Sequence, residues 1–348
     1  AEIAPHDSVE RYEGLGVECI KGEAKVISPW EVEVNGERKS ARAIVVATGS
    51  RPVVPPIPGL DQIDFMTSDT LWSLRDQPER LVVLGGGPIG CELSQAFARL
   101  GCHVTTIDMA PQLLGREDPE VSEHLRKVLT EQDGIDVALN TRAIRVEGAG
   151  ASGVLVCERD GQEVEFPFDR LLLALGRRPN VDTAGLRELG VAISERGTVE
   201  VDPFLRTNFP SISVCGDLAG PFQFTHVAAH QAWYAAVNSL LSPFWSFRTD
   251  YSVIPWSTYT EPEIARVGLS EAQAEADNVT VEVTRYDIGE LDRAITDGSA
   301  AGFVKVLTPP GSDKILGATI VGPHAGELIA EFVLAMKHGL GLNKILGT

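Results

Sequence analysis

At 348 residues the chain exceeds one average domain, and roughly two or three are expected. A formal charge of −19 argues against nucleic acid or anionic lipid as a partner. No run of 18 apolar residues occurs and the polar start AEIAPHDSVERYEG lacks an apolar leader core, so an acidic cytoplasmic protein is expected.

Residues 8 to 47 read as strand-rich. Val17–Ile20, Lys25–Ile27 and Glu31–Val34 alternate, and Asn35-Gly36 is a strong hairpin turn. Ala43–Ala47 reads as a buried strand ending in Thr48-Gly49-Ser50-Arg51-Pro52. Pro52, Pro55, Pro56 and Pro58 then form a stiff connector, and a short helix is predicted from about Ser68 to Leu74.

The most informative stretch is residues 81 to 108. Leu81–Leu84 is a short apolar run, as expected of a strand buried on both faces. Gly85, Gly87 and Gly90 stand in G-x-G-x-x-G spacing, and Ile89, Leu93, Ala96, Phe97 and Leu100 follow with helical period. A second strand, His103–Ile107, ends in Asp108. Gly85 allows the tight turn, Gly87 lets the backbone approach a pyrophosphate, and Gly90 brings helix close to strand. Asp108 is placed to accept ribose hydroxyls.

Pro119 to Glu131 reads as an exposed amphipathic helix with Val121, Leu125, Val128 and Leu129 on its apolar face. Residues 135 to 175 return to strand alternation. Leu171–Leu175 ends in Gly176-Arg177-Arg178-Pro179-Asn180, resembling the earlier Ala-Thr-Gly-Ser-Arg-Pro and suggesting two similar nucleotide-binding folds. Ile212–Cys215 leads into Gly216-Asp217, and Thr225 to Leu241 reads as a helix. Asp217 suits a polyol hydroxyl, or else caps a turn. His226 and His230 lie four apart, but with no third ligand nearby they read as packing residues. From Tyr251 onward an antiparallel sheet is expected, with helices at Ser270–Ala276 and from about Ala325 to His338. The last carries a broad apolar stripe of Leu328, Ile329, Phe332, Val333 and Met336. The five cysteines are scattered, with no C-x-x-C or C-x₄-C, which fits a reducing compartment and buried small hydrophobes.

Together IVVATGSRP, VVLGGGPIGCE, LLALGRRPN, VCGDLAG, YTEPEIARVG and KILGATIVG resemble the FAD-dependent pyridine nucleotide–disulfide oxidoreductases. The dihydrolipoamide dehydrogenase and mercuric reductase branch is the nearest in look. The resemblance implies an α/β fold with two Rossmann-like dinucleotide-binding domains, the FAD one incomplete, and a C-terminal α+β dimerisation domain. The corresponding division is 1-75 with 200-250 for FAD, 76-199 for NAD and 251-348 for the interface. It implies a homodimer passing hydride from NADH to FAD, and then electrons to a disulfide, metal-ion or other small-molecule acceptor. The residues it marks are Gly85, Gly86, Gly87, Pro88, Ile89, Gly90 and Asp108 for NAD, with Glu92 near the nicotinamide and Gly176 and Arg177 flanking it. Thr48, Gly49, Asp217 and Thr225 are marked for FAD. Relative to the family pattern, the chain starts after the flavin glycine motif and redox cysteine pair, and stops before the catalytic histidine segment. On that pattern it is expected to be a fragment without catalytic residues, inactive alone and holding FAD weakly or not at all. Two other readings stay open: a flavin NADH oxidase or quinone-type reductase needing no disulfide, and a non-catalytic nucleotide-binding and dimerisation module, including one whose parent is attached to a membrane.

Overall fold

The computed structural model describes residues 4–347. They form two compact units: residues up to Ser50 together with Arg178–Thr249, and Arg51–Arg177 together with the residues from Asp250 on.

In the first unit the helix Val9–Gly14 is followed by an antiparallel sheet of Ala24–Ser28, Glu31–Val34 and Glu37–Ser40. Its tight hairpin pairs Val34 with Glu37, and Asn35 and Gly36 both take positive φ (55° and 82°), as the turn chemistry requires. Ile44–Val46 pairs in parallel with Ile212–Val214. These strands share a core of Val26, Ile44, Val46, Leu186, Val199, Val214 and Leu218. The helix Thr225–Leu241 belongs to the same unit.

The second unit holds a five-stranded parallel sheet in the order Met66–Thr67, Arg170–Leu173, Arg80–Leu84, His103–Ile107, Asp136–Ala138. Leu81 to Leu84 are buried, as a strand covered on both faces demands. The helix Pro88–Arg99 crosses over between the Arg80–Leu84 and His103–Ile107 strands. An antiparallel meander, Arg142–Ala149, Ser152–Arg159 and Gln162–Phe168, follows the sheet.

A second, antiparallel sheet runs Pro255–Thr258, Glu263–Gly268, Gly317–Gly322, Phe303–Thr308, Glu282–Asp287. One face, with Ala265, Val267, Val306, Ala318 and Ile320, packs on Ile329 and Ala335 of the helix Ala325–Lys337. The other face sends Ile264, Phe303 and Val321 into the same core as Leu113, Leu114, Val121 and Leu125, which follow the His103–Ile107 strand of the parallel sheet.

The structure differs from the sequence reading at several elements, the first being Val17–Ile20, which forms no strand and follows an unexpected short helix, Val9–Gly14. The predicted helix at 68–74 is only a 3₁₀ turn, Leu71–Ser73. The Thr70 hydroxyl accepts the Thr67 N–H at 3.0 Å, a local bond that competes with helix extension. The helix expected from Pro119 to Glu131 is α-helical over Pro119–Lys127 and then widens to a π turn, Val128–Gln132. There the Thr130 hydroxyl donates back to the Arg126 carbonyl at 2.9 Å. Its apolar face, Val121, Leu125, Val128 and Leu129, is wholly buried.

Candidate functional site

In the second unit the chain leaves the strand Arg80–Leu84 through Gly85 at φ 118°, a conformation that favours glycine. A Cβ on Gly85 would lie 2.4 Å from the Ala174 carbonyl oxygen, so the end of the Arg170–Leu173 strand sits directly against the turn. A Cβ on Gly90 would meet the Gly85 carbonyl oxygen at 1.8 Å, the close helix–strand approach expected of the third glycine. Around Gly87 there is open space, and Pro88 opens the helix at its first position. The backbone N–H groups of this first turn therefore border space that a ligand can enter.

Asp108 closes the loop. Its Oδ2 accepts the Gly86 N–H at 2.6 Å and its Oδ1 accepts the Ala110 N–H at 2.8 Å. A carboxylate has about four acceptor positions, so it can still take hydroxyl donors. Leu114 donates its N–H to the Gly86 carbonyl at 2.8 Å, and its own φ of 47° is left-handed.

Glu92, one turn into the helix, accepts the Tyr259 N–H at 2.8 Å. Burial raises the Glu92 carboxyl above its ordinary value, and the Tyr259 hydrogen bond offsets part of that. Gln95 fixes the same loop: its Nε2 donates to the Glu261 carbonyl at 2.9 Å and its Oε1 accepts the Glu261 N–H at 2.7 Å. A cleft of 650 Å³ lies here, lined by Glu92, Gln95, Arg99, Tyr259, Glu261 and His324. Gly176 takes φ 92°, and Arg177 donates to Ser68 and Asp69, each at 3.0 Å.

In the first unit, Asn180 donates to the carbonyls of Thr48 (2.8 Å) and Gly49 (2.9 Å). Ser50 donates its hydroxyl to Asp217, so the two strand ends Thr48–Ser50 and Gly216–Leu218 meet. Buried Gln231 ties that second end to the helix Thr225–Leu241, accepting the Gly216 N–H at 2.6 Å and donating to the Gly220 carbonyl. A carboxylate and a hydroxyl side by side, near a long helix's first turns, suit the polyol chain of a flavin. Phe224 and His226 stack, and His230 packs on Tyr234.

Tyr259, Gln95, Ser50 and Gln231 were not singled out from the sequence. Tyr259 acts through its backbone, which leaves no side-chain signature, and Gln231 looks like any polar helix residue until its burial is known.

A family model for pyridine nucleotide-disulphide oxidoreductases matches residues 5–232, and one for the family's dimerisation domain matches 254–348. The chain belongs to the pyridine nucleotide-disulphide oxidoreductase family. It is 36% identical over 347 residues to a mercuric reductase of Bacillus cereus, covering 100% of this chain and 54% of that protein. It is 37% identical over 336 residues to a dihydrolipoyl dehydrogenase of Thermus scotoductus, covering 94% of this chain and 70% of the relative. The chain thus spans about half the length of the Bacillus relative. Among solved structures it is similar to the HOCl-induced flavoprotein disulfide reductase RclA from Escherichia coli. The TM-score is 0.87 at 28% identity, over 98% of this chain and 78% of that one. The expected α/β fold and family are thereby borne out. Among the described residues, no helix is long and apolar enough to cross a membrane.

Proposed function

We propose that this chain supplies the nicotinamide-nucleotide site, part of the flavin site and the dimerisation domain of a cytoplasmic flavin-dependent oxidoreductase. The electron donor is NADH and the acceptor a disulfide or a metal ion. The observation that carries the reading is the glycine loop closed by Asp108, in a chain whose relatives bear the names mercuric reductase and dihydrolipoyl dehydrogenase.

The backbone of Gly85, Gly86, Gly87, Pro88, Ile89 and Gly90 holds the pyrophosphate, aided by the positive end of the Pro88–Arg99 helix. Asp108 takes the adenosine ribose hydroxyls. Glu92 stands beside the nicotinamide, with Gly176 and Arg177 on its flank. Asp217 holds the flavin ribityl chain, Thr48 and Gly49 form the strand end that touches FAD, and the first turn at Thr225 offers backbone N–H groups to the pyrimidine edge. A bound flavin supplies the two-electron relay between nicotinamide and acceptor. On this reading the stretch up to Ser50 with Arg178–Thr249, rather than 1-75 with 200-250, serves FAD, Arg51–Arg177, rather than 76-199, serves NAD, and 251-348 join two copies.

The preference for NADH follows from charge. A 2′-phosphate would be set beside the Asp108 carboxylate, and no arginine follows until Arg116. Like charges at close range cost on the order of 1 kcal/mol even when partly solvated. Titrating both nucleotides calorimetrically tests this: NADH should bind several-fold more tightly, and equal or tighter NADPH binding sinks the assignment.

A further inference from the structure

A charged row crosses the antiparallel sheet of the second unit. Trp256 stands opposite Arg266, Arg266 opposite Thr319, Thr319 opposite Lys305, and Lys305 opposite Arg285, so five strands present these side chains on one face. That face covers the loop between Asp108 and the helix Pro119–Lys127. Lys305 and Arg266 are essentially inaccessible to solvent, at 0% and 1%.

Their partners converge on one short stretch. Lys305 Nζ donates to Asp118 at 2.7 Å, to Glu271 at 2.7 Å and to Glu120, which uses all three of its N–H bonds. Arg266 Nη2 donates to the Arg116 carbonyl at 2.8 Å. Its Nε lies 3.0 Å from Glu117 Oε2, an ion pair off the line of a hydrogen bond. Trp256 Nε1 donates to the other Glu117 oxygen at 2.8 Å, and Arg266 stacks on the Trp256 ring at 4.4 Å. Asp118 also accepts the N–H groups of Glu271 and Ala272.

The anchored stretch is stiffly joined to the glycine loop. Glu117 donates its N–H to the Leu114 carbonyl at 2.7 Å, and Gln112 Nε2 donates to the Glu117 carbonyl at 3.0 Å. Leu114 in turn donates to Gly86, and the Leu113 side chain fills the space where a Gly86 Cβ would stand. The left-handed φ of Leu114 falls on the residue that touches Gly86, and such a conformation persists only where its surroundings over-determine it.

Burying several charges is a poor route to stability, because desolvation cancels most of the attraction and apolar residues of similar size do as well or better. What the arrangement does supply is a fixed position. We propose that Lys305, Arg266 and Trp256 are positioning residues for the adenosine end of the nucleotide site, acting through Glu117 and Asp118 on Leu114, Gly86 and Asp108. The inference rests on the reading of the glycine loop as the NADH site.

The test measures the dissociation constants of NADH and ADP-ribose, with the melting temperature, for the 348-residue chain, for Lys305→Met and for Lys305→Met combined with Asp118→Asn. Lys305→Met should weaken both ligands about five- to tenfold, the lower range of coupling between linked sites. The double variant, with no uncompensated charge at Asp118, should recover melting temperature and stay weak in binding. Should Lys305→Met not fold, Trp256→Phe removes the bond to Glu117 while keeping an aromatic ring for Arg266 to stack on, and should weaken ADP-ribose about twofold. Recovery of affinity in step with melting temperature, or unchanged affinity in a folded single variant, overturns the positioning role while wild-type binding stands. A wild-type chain that binds neither ligand overturns the functional reading first, and this inference with it.

Discussion

The Glu92 carboxylate accepts the backbone N–H of Tyr259 at 2.8 Å, joining the helix that starts at the glycine loop to the loop between the strands Pro255–Thr258 and Glu263–Gly268 of the antiparallel sheet. This bond offsets part of the cost of keeping a carboxylate in a half-buried cleft. Because its acceptor is one oxygen and its donor a backbone group, a glutamine can preserve it. Glu92→Gln should therefore fold normally. On the proposed function it should weaken NAD⁺ relative to NADH by about three- to tenfold, since only the oxidised nicotinamide is cationic. Burial raises the Glu92 carboxyl from 4.5, so in wild type the NAD⁺ advantage should decline as pH falls through that raised value. Fluorescence titration with both nucleotides across pH checks this; an unchanged ratio in the variant removes Glu92 from the nicotinamide's surroundings.

Two glycines of one motif should fail in different ways. An alanine at Gly90 would drive its methyl into the Gly85 carbonyl, which is backbone and cannot swing aside. Gly90→Ala is expected to cost about 1–3 kcal/mol of stability or more. Gly87→Ala meets nothing within the protein, so its melting temperature should stay near wild type. Its methyl would instead occupy the approach to the pyrophosphate, and NADH affinity should drop by about tenfold or more. Calorimetry paired with melting curves separates the two, and tight NADH binding by Gly87→Ala would exclude the loop as the pyrophosphate cradle.

Asp118 and Lys305 set opposite ends of a pH profile. Burial works to raise the Asp118 carboxyl, but Lys305 and two backbone N–H groups outweigh it and hold it below 3.8. A depressed carboxyl contributes stability that is present above 3.8 and lost as pH falls through the folded value. Burial works to lower the Lys305 ammonium, and its three carboxylates outweigh that and hold it above 10.5. Its contribution is full below 10.5 and lost as pH rises through the folded value. The gap in melting temperature between wild type and Asp118→Asn should therefore narrow below pH 3.8 and stay constant near neutrality. A gap that persists into strong acid would mean that the pair's charge is not what stabilises it.

The last long helix offers a handle on assembly. Leu328 and Leu334 of Ala325–Lys337 are 53% and 58% exposed, although the same helix seats Ile329 and Ala335 in the core. If this face joins two copies, a stable contact buries on the order of 1,600 Å² in total. Leu328→Glu combined with Leu334→Glu should convert a dimer to a monomer by light scattering, without loss of far-ultraviolet helix signal. A dimer that survives both changes places the contact elsewhere.

The glycine loop was legible because strand, turn, helix and closing acid lie within 28 consecutive residues, so their geometry is set by local chain chemistry. The apolar periodicity of Pro119–Lys127 was equally plain; the π turn that ends it was missed, as was its depth of burial, because the sheet that covers it comes much later in the chain. Lys305 and Arg266 were passed over. Each stands in a strand whose alternation gives a charged residue to the second face, and a charge there ordinarily means water. Here that face is closed by Glu117 and Asp118, and no pattern near Lys305 names them. A single lysine inside Phe303–Thr308, otherwise apolar up to its final threonine, was the only signal available.

The first unit is assembled from two stretches of chain with Arg51–Arg177 threaded between them. Its strand Ile44–Val46 is made before that insert, yet its parallel partner Ile212–Val214 is made only after the insert is complete. Left alone, the early strand has an unsatisfied edge of the kind that invites pairing with other chains. An insert that folds as soon as it emerges shortens the effective tether between the two strands and eases the closure of a very long loop. The order of synthesis thus leaves the Ile44–Val46 strand waiting on the completion of Arg51–Arg177, and a lesion that slows the folding of that insert can surface as aggregation of a strand outside it.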